Sequence, residues 1–228
     1  AMLHDQINIR LSTIADDRHA FLVSGLTNIE EQIRALTARY RLLELHERYA
    51  STQDDPQQFR TENQEIVDDV RADTPGLLAF WLEDEAHREI ISSGPRALIT
   101  LFNDEDPRPA EAGRDPVMTG LPHVYENTSV ALFRAAARSR TRGVIGSLML
   151  VVDVGSIMTG LADPRRLGDT GEVLVGVQEG QSIRYLFPPR LTPHVMVSPL
   201  HRNPSVARAI AGEYGQDQMI DRLGHEIL

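Results

Sequence analysis

Histidine is the side chain here best suited to acid–base chemistry and metal binding, and the sequence contains eight histidines. They are scattered along the chain, and none forms an H-E-x-x-H motif or another compact spacing of metal ligands. The sequence therefore predicts no metal centre and no cofactor. The eight residues are His4, His19, His46, His87, His123, His194, His201 and His225.

Other features that could suggest catalysis have plainer explanations. Acidic clusters at residues 83–85 and 104–106 are typical of solvated turns rather than of general acid–base pairs. Ser147 lies in the segment GVIGSLML, which lacks the G-x-S-x-G pattern and has the composition of a buried strand. No phosphate-binding glycine motif occurs, and the absence of cysteine excludes a thiolate nucleophile. We predict that this chain is not an enzyme.

The composition is that of an acidic globular chain. Of its 228 residues 41% are hydrophobic, which is enough to bury a core. The formal net charge of −10 opposes nonspecific binding to nucleic acid, because no basic field is present to displace counterions from phosphates. No apolar run approaches the ~18–20 residues that a membrane-spanning helix needs, and no signal-peptide pattern is present.

Residues 7–50 predict one long helix. Apolar residues recur at alternating spacings of four and three with polar residues between them, and no proline interrupts the pattern. Such a stripe can pack along the helix's own domain or form a dimer seam, and the two roles are compatible. We predict a parallel homodimer through this helix. The stripe consists of Leu22, Leu26, Ile29, Ile33, Leu36, Tyr40 and Leu43.

The middle of the chain changes from a helical to a strand pattern. After the breaker STQDDPQQ, residues 58–71 predict a second amphipathic helix, and residues 77–93 predict two strands joined by an acidic turn. Residues 129–139 and 143–154 predict a long antiparallel pair with RTRG as the turn, and residues 155–164 predict a short helix. The second helix is expected to bury Phe59, Ile66, Val67 and Val70.

The C-terminal part has a further strand-rich pattern. Residues 167–188, LGDTGEVLVGVQEGQSIRYLFP, predict a hairpin whose glycines permit the tight backbone of the preceding GDTG turn. Residues 198–215 contain a predicted helix that ends at Gly212, and residues 219–228 predict a strand, a turn and a strand.

Several stretches, in this order, resemble the extracytoplasmic Cache sensor domains of bacterial membrane receptors, which have a PAS-like fold. FWLEDEAHREIISSG resembles the opening hairpin of the membrane-distal module, and RTRGVIGSLMLVVDVGSI resembles its closing strand and exit helix. LGDTGEVLVGVQEGQSI is similar to the opening hairpin of the membrane-proximal module, and ARAIAGEYG with MIDRLGHEIL to its later helix and next hairpin. The resemblance covers nearly all of the chain after the long helix, which the family also has.

The resemblance implies an α+β fold in which a long N-terminal helix is followed by tandem PAS-like (Cache) modules with antiparallel sheets. We expect the helix in residues 1–57, the distal module in 58–165 and the proximal module in 166–228. The family's second module usually continues with further strands, so we expect this one to be incomplete, either truncated or degenerate.

The resemblance also implies a function. We expect the extracytoplasmic, periplasmic portion of an inner-membrane protein, which binds a small molecule and signals to a cytoplasmic output module. A sensor histidine kinase is the expected parent, and a diguanylate cyclase or chemoreceptor is also compatible. The alternative is a structural or dimerisation module of a receptor that binds no ligand.

In the resembling family, ligands sit against the sheet face of the distal module. Here that position corresponds to Trp81, His123, Tyr125 and Arg134. The planar guanidinium of Arg134 suits a ligand carboxylate, although an exposed charge would fit the pattern equally well. Trp81 also fits a core aromatic, which is the role we favour. The family's Arg-Trp-Tyr signature for amino acids is not visible, so an amino-acid ligand is not expected.

Overall fold

The computed structural model describes most of the chain in two compact units. One unit is Ser24–Ser156, and the other comprises Ala1–Val23 and Ile157–Leu228. Within the described residues, no helix is both long and apolar enough to cross a bilayer. The structure describes residues 2–51, 55–103, 116–119, 122–139, 141–162, 172–186, 188–190, 192–193, 195–213, 219–220 and 226–227.

An antiparallel sheet forms the centre of the first unit. Its strand order is β2-β1-β6-β5-β3, and β4 also pairs with β5. The predicted hairpin at 77–93 and the predicted long pair at 129–154 are both confirmed, because β1 pairs with β2 and β5 pairs with β6. The strands are β1 (Leu77–Glu83), β2 (Glu89–Ser93), β3 (Val117–Met118), β4 (His123–Tyr125), β5 (Thr128–Ser139) and β6 (Gly143–Asp153).

The N-terminal segment contains two helices where the sequence predicts one. Helix α1 spans Met2–Thr37 and helix α2 spans Tyr40–Ser51. Between them the N–H of Arg39 donates to the carbonyl of Leu36, at 3.0 Å, which is a tighter turn than the α-helical pattern allows. The single predicted helix to residue 50 is therefore wrong at the break, although its two halves are helical.

The centre of the predicted apolar stripe on α1 packs against the sheet of the same chain. Ile29, Ile33 and Leu36 are buried, and they line a cleft with Leu150 and Val152 of the sheet. Burial of these side chains removes apolar surface from water and fixes α1 on this face of the sheet. Within this unit the centre of the stripe is thus a packing surface.

Helix α2 covers the same sheet face and places a histidine in the interior. His46 is 2% exposed, and its Nε2–H donates to the main-chain carbonyl of Glu83, at 3.1 Å. Gly146 of β6 makes room for this contact, because a Cβ there would lie 2.0 Å from the Glu83 oxygen and 3.2 Å from the His46 ring. Its φ of +149° is one that other residues rarely adopt.

Helix α3 (Pro56–Ala72) covers the edge strand β2. The Arg60 guanidinium donates to the carbonyls of Glu89 and Ile90, each at 2.8 Å, and the Gln64 amide donates to the carbonyl of Ser92, at 3.0 Å. These side chains occupy the acceptors that an edge strand would otherwise present to solvent.

The buried face of α3 differs from the prediction at one position. Phe59, Val67 and Val70 are buried as predicted, but Ile66 is only half-buried and Asn63 is buried instead. The Asn63 amide is satisfied, because it donates to the carbonyl of Phe59 at 2.6 Å and accepts from Arg48 at 3.0 Å.

Helix α4 (Arg96–Asn103) packs on the sheet face opposite to α1 and α2. The β4–β5 connection is a tight hairpin in which Glu126 and Asn127 have positive φ, and this conformation matches the twist of the two strands. After β6, the carboxylate of Asp153 accepts the N–H of Gly155, at 2.7 Å, where helix α5 (Gly155–Ala162) begins as predicted.

The second unit is smaller in its described part. Strands β7 (Gly176–Glu179), β8 (Ser182–Tyr185) and β9 (Val197–Pro199) form one sheet. The antiparallel β7–β8 pair confirms the hairpin predicted within residues 167–188. The GDTG turn lies outside the described residues. Buried Asn203 precedes helix α6 (Pro204–Ile210), and its side chain accepts from the Tyr185 hydroxyl and donates to Ser198.

The last predicted pair is also present, because β10 (Met219–Ile220) pairs antiparallel with β11 (Glu226–Ile227). A long N-terminal helix followed by antiparallel sheets confirms the predicted α+β class. The predicted division of the chain after residues 57 and 165 stays a prediction.

Candidate ligand-binding site

The α4-covered face of the first unit's sheet carries the predicted site residues. Buried apolar side chains from the sheet and from α4 form one cluster there, and Tyr125 packs against its border. The members are Ala79, Trp81, Val130, Leu132, Met149 and Val151 from the sheet with Leu98, Ile99 and Phe102 from α4. The face is therefore mainly apolar, and each polar side chain on it needs a reason.

Trp81 and Arg134 lie in one row across this face. Met149 of β6 is the register partner of Trp81 on one side and of Arg134 on the other. Directly opposite residues of antiparallel strands point to the same side of a sheet, so all three side chains share the α4-covered face. The structure thus brings together two of the residues that the resemblance implied.

Glu83, at the end of β1, organises a polar cluster beside this row. The Trp81 indole Nε1–H donates to Glu83 Oε1, at 2.8 Å, and the Ser147 hydroxyl donates to Glu83 Oε2, at 3.1 Å. His87 Nδ1 lies 3.5 Å from Glu83 Oε2. The Glu83 side chain is only 15% exposed, so its interpretation as part of a solvated acidic turn is wrong. The sequence did contain a signal for this position, because Glu83 follows Trp81 by two residues and alternate residues of a strand share a face.

The turn between β1 and β2 holds His87 in place. His87 has a φ of +59°, and the carboxylate of Asp84 accepts the N–H groups of Ala86 and Arg88, each at 2.9 Å. Burial alone would raise the pKa of Asp84, but these N–H groups and the Arg88 guanidinium together lower it below its ordinary value. The Asp84 carboxylate therefore favours its ionised form, in which it accepts both N–H groups of the turn.

Arg134 contacts this turn through the ring of His87. Its Nη2 donates to His87 Nδ1, at 3.1 Å, which requires that the His87 nitrogen carry no proton. Within the part of the chain that the structure describes, no carboxylate lies within ion-pair distance of Arg134. A half-buried guanidinium in this state can bind a carboxylate with its remaining N–H groups.

Ser147, His87 and Glu83 have the residue types of a hydrolytic triad but not its geometry. A nucleophilic serine must donate to the histidine that removes its proton, and the carboxylate must orient that histidine. Here the Ser147 hydroxyl donates directly to Glu83, and Ser147 is 2% exposed in the middle of β6. The arrangement holds a carboxylate in place and does not activate a nucleophile.

His123 and Tyr125 lie at the other end of the same face. His123 is opposite Val130 on β5, and its ring meets Phe102 edge to face, with 5.0 Å between ring centroids. Val130 is four residues from Arg134, a separation of about 14 Å along a strand. Burial and the neighbouring Glu126 carboxylate raise the pKa of Tyr125, so this phenol stays protonated. The predicted residues therefore form two pairs at opposite ends of one face.

No group of three or more histidine or acidic side chains in the described part of the chain is placed to hold a metal ion. The described clefts, lined by α1 and α2, lie on the other face of the sheet.

No family model and no curated protein matches the chain. It is similar to the extracellular domain of mmHK1S-Z3, described as a histidine kinase, with a TM-score of 0.49 and 14% identity over 86% of this chain and 80% of that chain. It is also similar to the periplasmic sensory domain of the Campylobacter jejuni chemoreceptor Tlp1, with a TM-score of 0.46 and 12% identity over 97% of this chain and 85% of that chain. Both are extracytoplasmic domains, the class that the resemblance implied. At these TM-scores neither similarity assigns a ligand or a function to this chain.

Proposed function

We propose that this chain is the periplasmic sensor domain of a bacterial membrane receptor and that it binds a small carboxylate on the α4-covered sheet face. The domain itself is not catalytic, and it signals to a cytoplasmic output module, such as a histidine kinase. The proposal rests on the surroundings of Arg134. This guanidinium shares a row with buried Trp81, and its described hydrogen-bond partner is a neutral histidine nitrogen.

The charges at the site define where the ligand binds. Glu83 repels an anion, but its two oxygens accept hydrogen bonds from Trp81 and Ser147. A ligand carboxylate is therefore expected on the side of Arg134 that faces away from His87. There it makes charge-assisted hydrogen bonds, which are about twice as strong as neutral ones.

Thermal unfolding with a panel of small organic acids tests this proposal. A ligand at ~100 times its dissociation constant adds about 2.7 kcal/mol of stability, which raises the melting temperature by several degrees. The shift should be lost in Arg134→Ala. It should persist in Arg138→Ala, which removes the same charge from an exposed position on the same strand. Equal shifts in both variants would refute the role of Arg134, and loss of folding in Arg134→Ala would make the residue structural.

The alternative function is a structural or dimerisation module that binds no small molecule. Burial of Trp81 in the core cluster favours it, because the indole is 3% exposed and already has a hydrogen-bond partner. A broad panel of metabolites without any effect on the melting temperature would support this alternative over the first proposal.

We further propose a parallel homodimer through α1 in the parent receptor. Two receptors in one membrane share an orientation, and tethering raises their effective concentration. Because Ile29, Ile33 and Leu36 are buried in the protomer, the interface must use outward-facing positions such as Val23, which is 47% exposed. Val23→Asp should lower the association measured by sedimentation without changing the melting temperature. A wild-type chain that stays monomeric at high concentration would contradict this proposal.

The proposed location has its own test. Alkaline phosphatase, which is active only in the periplasm, should be active when it is fused within this domain in the parent receptor. Activity of a cytoplasmic reporter at the same position would place the domain inside the cell and refute the proposal.

A further inference from the structure

Thr119 carries a buried hydroxyl group that has no partner within the described residues. The residue is 5% exposed, and its Oγ1 forms no hydrogen bond there. Native proteins leave few buried polar side chains in this state, because desolvating a hydroxyl without replacing its bond to water is unfavourable. The hydroxyl group of Thr119 therefore retains hydrogen-bonding capacity for a group outside the described residues.

The register places this hydroxyl on the α4-covered face. Thr119 follows β3, and its N–H donates to the carbonyl of Leu132, at 3.0 Å. This bond extends the pairing of Met118 with Phe133, so Thr119 is directly opposite Leu132. Leu132 belongs to the core cluster under α4, and opposite residues share a face. Thr119 thus points to the same side of the sheet as Trp81 and Arg134.

Thr119 lies between the two pairs of predicted site residues. Arg134 is paired with Val117, which makes Thr119 its diagonal neighbour at about 7–8 Å. In the other direction, the next row on β5 is Val130, which pairs with His123. The remaining members of the Thr119 row are Leu132, Val151 and Ala79, all apolar. The Thr119 hydroxyl is therefore the polar group of an otherwise apolar row.

We propose that the Thr119 hydroxyl is a second polar contact for the ligand, an inference that rests on the proposed carboxylate site. The ligand class is then a short organic acid with a second polar group, such as a hydroxyl or another carboxylate. Its first carboxylate binds Arg134, and its second polar group exchanges a hydrogen bond with Thr119. The carbon chain of the ligand spans the distance between Arg134 and Thr119.

Three four-carbon acids test this inference, because they differ only in the second polar group: butyrate, 3-hydroxybutyrate and succinate. We expect wild-type protein to bind 3-hydroxybutyrate or succinate more tightly than butyrate, by about fivefold in dissociation constant for one hydrogen bond. Thr119→Val keeps the shape of the side chain and should abolish this preference while leaving butyrate binding unchanged. Thr119→Ser retains the hydroxyl and should retain the preference.

The unliganded proteins provide an independent readout. Thr119→Val should melt at the wild-type temperature or above it, because no described hydrogen bond is lost. A melting temperature several degrees lower would mean that the hydroxyl is a structural contact, and it would overturn the inference.

The binding results separate this inference from the proposed function. Equal preferences in wild type and Thr119→Val would overturn the role of Thr119 and leave the Arg134 site intact. No binding of any of the three acids to wild type, up to the highest soluble concentration of each acid, would overturn the inference about Thr119. The wider panel of organic acids would then decide whether the Arg134 site stands.

Discussion

The buried histidine on α2 makes the stability of this protein depend on pH in a direction that the structure defines. Burial lowers the pKa of His46 from its ordinary value of 6.5, and the hydrogen bonds from its ring to the carbonyls of Glu83 and Leu42 oppose this shift only in part. In the unfolded chain the same side chain takes up a proton at the ordinary value. Protonation therefore favours the unfolded state.

The magnitude follows from linkage between protonation and unfolding. Stability is fully present above pH 6.5 and is lost as the pH falls from 6.5 towards the lowered pKa of the folded state. One group changes the free energy of unfolding by at most about 1.4 kcal/mol per pH unit. For a chain of this size that corresponds to a fall in melting temperature of about 3–6 °C over one unit.

The cleft beside the ring offers nothing that offsets this effect. The residues that line it carry no ionisable group, so none of them can pair with the protonated ring. These residues are Thr37, Leu42, Leu43, Leu82, Ala137 and Leu148.

The assay is urea unfolding of wild type and His46→Gln at pH 7.5, 6.5 and 5.5. The glutamine amide can donate to the same carbonyl but does not titrate, so every other ionisable group contributes equally to both proteins. The difference in free energy of unfolding should widen in favour of the variant below pH 6.5. Parallel pH profiles for the two proteins would show that His46 does not titrate as argued and would refute the reasoning.

Two further changes test the packing around Glu83. Gly146→Ala should destabilise the protein by about 1–3 kcal/mol in urea unfolding, because the new Cβ would clash with the Glu83 carbonyl. Gly143→Ala is the matched control, with positive φ but nothing within 4 Å of the new Cβ, and equal losses in both would contradict the clash. Glu83→Ala should cost about 2 kcal/mol, because the buried Trp81 N–H loses its acceptor. Glu83→Gln keeps an acceptor and should cost less, and the opposite order would mean that charge rather than hydrogen bonding stabilises the cluster.

The strands could be predicted because their patterns are local. Alternation and apolar runs at 77–93 and 129–154 identify the two hairpins, and the turns between them are polar. The break between α1 and α2 was missed because no glycine or proline marks it. Ala38 and Arg39 are good helix formers, so local propensity predicts a continuous helix across the position where α1 ends and α2 begins.

The site was predicted in part for a similar reason. Trp81 and Arg134 could be proposed because each lies on a strand whose existence the sequence predicts. Their common row depends on the pairing of β1, β6 and β5, which is long-range information that no local pattern contains. Glu83 was assigned to a turn because it begins an acidic run. It nevertheless lies two residues after Trp81, so on a strand the two side chains point to the same face. Thr119 lies beyond the end of a two-residue strand, where the sequence offers no periodicity.

Trp81 is the chain's only tryptophan, and its position has a spectroscopic consequence. All indole fluorescence of this protein comes from one buried ring whose N–H is bonded to a carboxylate in the candidate site. The emission wavelength and intensity of an indole depend on the polarity and charge around it. Any ligand that displaces Glu83 or His87 must therefore change the intrinsic emission of the protein, without a label and without contact between ligand and tryptophan.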